Sequence, residues 1–135
     1  MNIPVSFCQM WEQLLKDYVL GGGGLLMIGG YLTFNGVGAQ GKWWATPVQD
    51  VLPVEILPYD DRMEHCEGVH AEVTLPDHPA FAGIEGEWPP VLGYNKSTIK
   101  PEAELAATVC GDPFIAFGSY GEGKSAVFSS DCSPH

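Results

Sequence analysis

Positive charge is scarce in this chain. Six Lys and Arg residues face seventeen Asp and Glu among 135 residues, a formal charge of -11. Such a field repels a phosphate backbone, so nucleic acid and anionic membrane surfaces are excluded as partners. The acidity itself is accounted for by solubility. Long apolar runs are missing too. The longest clean one, Leu25–Ile28, has the length of a strand and falls far short of the roughly 18 residues of a membrane span. The N-terminus shows no basic region followed by an apolar run, which is what a secretory leader would need. The four cysteines, Cys8, Cys66, Cys110 and Cys132, form no CxxC pair and, without an export signal, read as the reduced thiols of a cytoplasmic protein. Tightly spaced metal ligands are absent as well. Asp60, Asp61, Glu64, His65, Cys66, Glu67 and His70 cluster in sequence, but zinc ligands recur at set spacings and adjacent His65 and Cys66 chelate jointly only with difficulty. They read as a solvated loop. His78-Pro79 reads as structural, and no metal or cofactor is expected.

What the chain does have is apolar content. Hydrophobic residues make up 45% and aromatics 11%, too much for disorder and enough for one core, so residues 1–135 read as a single domain. Seventeen glycines and eleven prolines predict many turns and few long helices. Residues 6–20 read as an amphipathic helix with Trp11, Leu14, Leu15, Tyr18 and Val19 on one face. Ser6 with Gln9 fits a capping box, and Gly21 is the stop. The all-apolar strand Leu25–Ile28 suits the buried middle of a sheet covered on both faces. Gly29-Gly30 ends it sharply, and Tyr31–Phe34 begins a helical turn. Residues 35–50, with Trp43-Trp44, read as a long loop. Val51–Leu57 reads as an edge strand because of Pro53, Val69–Leu75 as a half-buried strand, and residues 76–90 as loop. Val91–Tyr94, Leu105–Val109, Phe114–Ser119 and Ser125–Ser129 are strands, the last two joined as a hairpin through Tyr120–Gly123.

Two glycine motifs match nucleotide-binding patterns in letters only. Gly118-Ser119-Tyr120-Gly121-Glu122-Gly123-Lys124-Ser125 spells GxxxxGKS, but a phosphate loop opens a helix and a strand pattern follows here. Gly36-Val37-Gly38-Ala39-Gln40-Gly41 spells GxGxxG, yet no strand immediately precedes it and no helix follows. The first is expected to be a hairpin turn and the second a flexible loop.

The segment Ser129-Ser130-Asp131-Cys132-Ser133-Pro134-His135 follows the carboxyl end of a strand, where open α/β sheets place their ligands. It holds a thiol, hydroxyls, a carboxylate and an imidazole, the groups from which an activated nucleophile is built. Asp131, Cys132 and His135 are therefore candidates for catalysis; a turn capped by Asp131 is the plainer reading.

Two segments together carry a resemblance. Residues Gly22–Tyr31 resemble the strand and sharp turn of the class I glutamine amidotransferase-like superfamily, nearest its cytoplasmic branch, with trehalose-utilisation-type proteins more distant. Gly123–His135 resembles the later strand and histidine-bearing turn, and the stretch from Val51 to Ile84, with His78-Pro79-Ala80-Phe81-Ala82-Gly83-Ile84, also looks like this branch. The resemblance implies a flavodoxin-like α/β fold, a mostly parallel sheet with helices on both faces, with a β-hairpin near the C-terminus. It also implies that the family's N-terminal βα units and C-terminal end lie outside this chain. Working glutaminases of the superfamily carry a cysteine on the turn; the matching position here is Tyr31, beside Gly29, with Gly30 the nearest alternative. The family histidine maps onto His135, and its acidic partner maps beyond the chain.

Three expectations result. The first is a domain that is not an active glutaminase and uses Gly29, Gly30 and Tyr31 to bind a small ligand or a partner. The second is a hydrolase or transferase using Asp131, Cys132 and His135. The third is a structural or homo-oligomeric domain in which Trp43-Trp44, Trp88 and an incomplete sheet meet another chain.

Overall fold

The structure, a computed structural model, describes residues 3–8 and 10–132. Among the described residues there is one α-helix, α1 (Glu12–Leu20), nine residues long. The expected start at Ser6 is replaced by a single 3-10 turn, Val5–Phe7, and the Gln9 half of the capping box lies outside the described residues. The helix stops where glycine permits it. The Gly23 N–H donates to Tyr18 O and the Gly22 N–H to Val19 O, with Gly22 at φ 108°. This is the paired closure of a Schellman end, which needs a left-handed residue one position later than Gly21.

Nine strands follow: β1 (Gly24–Ile28), β2 (Val54–Ile56), β3 (Arg62–Val69), β4 (Glu72–Val73), β5 (Val91–Asn95), β6 (Ser97–Ile99), β7 (Glu104–Val109), β8 (Asp112–Tyr120) and β9 (Gly123–Phe128). Five of them form a sheet in the order β1-β9-β8-β7-β4, and two ribbons, β2-β6 and β3-β5, flank it. Among the described strands only β1 and β9 run parallel, with Gly24 opposite Lys124 and Ile28 opposite Phe128. All other pairs are antiparallel.

A flavodoxin-like parallel sheet with helices on both faces is therefore not what this chain forms. Parallel neighbours need long crossovers, usually helical, whereas two-residue turns can only make hairpins. Cys110-Gly111 joins β7 to β8 with both residues at positive φ, and Gly121-Glu122 joins β8 to β9. The expected C-terminal hairpin is present, and the GxxxxGKS letters lie across it. Gly123 is small because α1 ends against it: a Cβ there would sit 1.9 Å from Val19 O.

The apolar strand Leu25–Ile28 is not the middle of the sheet. Among the described strands it is an edge, and Leu26 is exposed. Met27, Phe34, Trp43, Leu52, Val54 and Val127 belong to one core, each large side chain worth roughly 1.5–3 kcal/mol of burial. Trp43 is buried there and donates its indole N–H to Ile3 O, whereas Trp44 is half exposed. A second core joins Tyr94, Val109 and Phe114, with Trp88 packed against it. Residues 62–68, within the stretch expected to be solvated loop, belong to strand β3, paired with β5.

Candidate functional site

The chain leaves β1 at Gly29 and turns at once. Gly30 takes φ 146°, a left-handed value that favours glycine. Gly29 is required for a different reason. A Cβ there would lie 2.1 Å from Ser129 O, because the ends of β1 and β9 come into backbone contact. The sharp bend expected after Ile28 is thus built from two glycines with two separate jobs.

Asn95, at the end of β5, clamps this turn. Its Oδ1 accepts from the Gly30 N–H at 2.7 Å, its Nδ2 donates to Gly30 O at 3.2 Å, and its backbone N–H donates to Ser129 O at 2.8 Å. The same Nδ2 donates to Asp61 Oδ1 at 2.8 Å. Asp61 is buried and also accepts from the N–H groups of Asn35 (2.7 Å) and Gly36 (2.8 Å). Burial pushes its carboxyl above the ordinary 3.8, against the pull of its three donors. Those donors supply what a buried carboxylate needs. The GxGxxG stretch is explained by the same contacts: the Gly36 N–H serves Asp61 and the Gly38 N–H serves Asp60, so its amides hold the protein's own carboxylates.

Above this knot lies an open cavity of about 250 Å³, lined by Gly30, Tyr31, Arg62, Glu64, Cys66, Leu92, Ser129, Ser130 and Asp131 among others. Tyr31 stands half exposed at its lip. The Arg62 guanidinium lies 6.0 Å from the Tyr31 ring centroid, and it binds Asp60 in a two-pronged pair and Glu64 at 3.1 Å. Arg62, with the Gly38 N–H, holds the Asp60 carboxyl down to about 2. Ser130 Oγ donates to Gly93 O, while Ser129 Oγ is buried without a hydrogen-bond partner among the described residues.

The structure therefore brings together Gly29, Gly30, Tyr31 and Asp131 of the expected site. Cys132 is exposed and is not among the cavity-lining residues. His135 lies outside the described residues, so the Asp131–Cys132–His135 arrangement receives no geometric account. The sequence reading missed Asn95 and the role of Asp61, since nothing in local spacing ties residue 61 to residues 35 and 95. It also missed Cys66, the thiol that does line the cavity, whose position in β3 brings it there with Arg62 and Glu64. Among the described residues no group of three or more His, Cys, Asp or Glu is arranged to hold a metal.

Chemically, the site offers an aromatic alcohol, a neutralised guanidinium and hydroxyls around a small apolar-walled hollow. The Gly30 N–H is already committed to Asn95, which removes one donor from any oxyanion-stabilising set.

Fold and site together define a β-rich domain with a glycine turn over a polar knot and a cavity at the carboxyl ends of two parallel strands. The chain belongs to the family described as "Putative glutamine amidotransferase", whose profile matches residues 7–135. Two solved structures share the fold at 41% identity: cytoplasmic protein STM3548 from Salmonella typhimurium (TM-score 0.90) and cytoplasmic protein STM1381 from Salmonella typhimurium LT2 (TM-score 0.89). Each match covers 99% of this chain, which spans only 59% and 60% of theirs. A cold-adapted β-galactosidase from Rahnella sp. R3 is similar in fold alone, at 14% identity and a TM-score of 0.59 over 88% of this chain and 18% of that one. No curated protein matches. None of the helices among the described residues is long and apolar enough to cross a membrane.

Proposed function

We propose that this is an amidotransferase-like ligand-binding domain that does not hydrolyse glutamine. The observation that carries this reading is Tyr31. It occupies the glycine turn at the cavity lip, where the family resemblance calls for a cysteine, and a phenol lacks the ready nucleophilicity of a cysteine thiolate at neutral pH. The cavity supports binding. It is smaller than the roughly 300–1,000 Å³ of pockets for drug-sized ligands, which suits a ligand the size of an amino acid. The unpartnered Ser129 hydroxyl is a buried group that such a ligand, or a water, would satisfy. The family name makes glutamine the first ligand to try.

The test is a thermal-shift titration of the chain with L-glutamine and L-glutamate. Binding raises the unfolding midpoint, and Tyr31→Ala abolishes the rise while leaving the unliganded midpoint within a few degrees. An unchanged response in Tyr31→Ala would remove the turn from the site.

A second reading rests on Cys66, the cavity's own thiol. If it is a nucleophile, it reacts with iodoacetamide faster than a free thiol and a cavity ligand protects it. Labelling at the ordinary rate rejects that reading.

A further inference from the structure

The cavity beside Tyr31 has a bias of charge. Among the described residues that line it, Arg62 is the one cation, whereas Glu64 and Asp131 are both acidic. That cation is matched more than once over. Its Nε and one terminal nitrogen each donate to Asp60 at 3.0 Å, and the other terminal nitrogen donates to Glu64 at 3.1 Å. These contacts use three of the five N–H groups of a guanidinium. Three carboxylates thus accompany one guanidinium, and the Asp61 carboxyl lies beneath the same turn. A ligand carboxylate needs unspent donors and a positive field. Here it would meet Glu64 and Asp131 instead.

What the cavity offers is acceptors. Glu64 meets Arg62 through Oε1 alone, and its side chain is 59% exposed, so its second oxygen is open to a donor. Ser129 lines the cavity, is fully buried, and has an Oγ with no hydrogen-bond partner among the described residues. A buried hydroxyl in that state calls for a partner, and its lone pairs accept from an N–H. Met63, Leu92 and the Tyr31 ring add apolar wall for a short carbon chain. An ammonium group on a small apolar body has matching needs: acceptors, a negative field and a greasy lining.

We infer that the cavity selects small organic cations, a protonated amine on an otherwise uncharged body, and discriminates against ligands that carry a free carboxylate. This rests on the ligand-binding reading of the Tyr31 cavity and narrows it to a class. Among ligands the size of an amino acid, the α-carboxylate becomes a liability, so an amino-acid amide binds better than the free amino acid. One unit charge about 4 Å from another changes affinity about fivefold even in bulk water, and more where water is partly excluded.

The experiment is a calorimetric titration of the chain with three ligands of one size and three charges: the α-amide of L-glutamine, L-glutamine itself and L-glutamate. At about pH 6.5, below the ordinary α-amino pKa of roughly 7.7–8, they are a cation, a zwitterion and an anion. Affinity is expected to fall in that order, with the amide at least about fivefold tighter than L-glutamine and L-glutamate weakest. Raising NaCl from about 50 to 500 mM narrows the spread. Glu64→Gln, at an exposed position, cuts the advantage of the amide over L-glutamate at least about fivefold, with unaltered circular dichroism confirming that the variant folds. Asp131→Asn serves if it does not. L-Glutamate binding as tightly as the amide overturns the inference and leaves the ligand-binding reading standing. A preference for the amide that neither salt nor substitution reduces does the same. Failure of all three ligands to bind overturns that reading and the inference with it.

Discussion

The two ends of β1 are held by opposite means. At its carboxyl end the backbone turns over a buried polar knot in which the Asp61 carboxylate and the Asn95 carboxamide collect hydrogen bonds from Gly30, Asn35 and Gly36. At its amino end the strand emerges beneath a helix whose outer face is bare apolar surface. Hydrogen bonds are directional, so the first end is held in one geometry. Apolar contact is non-directional, so the second end is a surface that other polypeptide can cover. A ligand site needs the first kind of end and an interaction surface needs the second.

Substitutions at the two ends should therefore behave differently. The largest effect is expected from Asp61→Ala, which leaves three buried donors without their acceptor. At about 1–3 kcal/mol for each unsatisfied group, urea unfolding should show a loss of at least about 3 kcal/mol, and Asp61→Asn should lose less. Gly29→Ala comes next. Its methyl group would meet the Ser129 carbonyl and Asn95 Oδ1, an overpacking expected to cost about 1–3 kcal/mol and to distort the turn that carries Tyr31. Near-equal stability of Gly29→Ala and wild type would mean that the two strand ends are not in close contact.

Acid titration separates two neighbouring carboxylates. The folded-state pKa of Asp60 is depressed from 3.8 to about 2, so its contribution is present above pH 3.8 and disappears as pH falls towards 2. Asp61 runs the other way. Its folded pKa is raised, so the folded state takes up its proton first, and acid favours folding through this group. Asp60→Asn should remove acid sensitivity between about pH 4 and 2; because Asp60 is partly exposed, the change is small. Acid unfolding unchanged by Asp60→Asn would contradict the Arg62 pairing. The smallest effect belongs to the middle of β1: Leu26→Lys, at an exposed position, should shift stability by less than about 0.5 kcal/mol.

The comparison also explains what could be read from the sequence. Strands β5, β7, β8 and β9 and the final hairpin announce themselves through local alternation and turn residues. So does the glycine turn ahead of Tyr31. The flavodoxin-like expectation failed at Leu25–Ile28, because a short all-apolar strand has the same composition in the middle of a sheet as at its edge. The amphipathic reading of α1 failed in a related way. Trp11, Leu14, Leu15, Tyr18 and Val19 do share one apolar sector, yet only Leu15 and Val19 are turned inward, while Trp11, Leu14 and Tyr18 are exposed. Strand β3 was hidden by its charges: Arg62, Glu64 and Glu67 look like solvated loop, although Arg62 and Glu64 face the cavity. The polar knot could not be read at all, since Gly30 and Asn95 are 65 residues apart and Asp61 and Asn95 are 34 apart. Only the folded chain brings them together.

The central claim is that a tyrosine-bearing turn has kept a cavity without keeping hydrolysis. The most direct measurement is glutamate release from L-glutamine by the purified chain, run beside Tyr31→Phe and Cys66→Ser variants. The account predicts background rates from all three. Release well above background that disappears in either variant would contradict it.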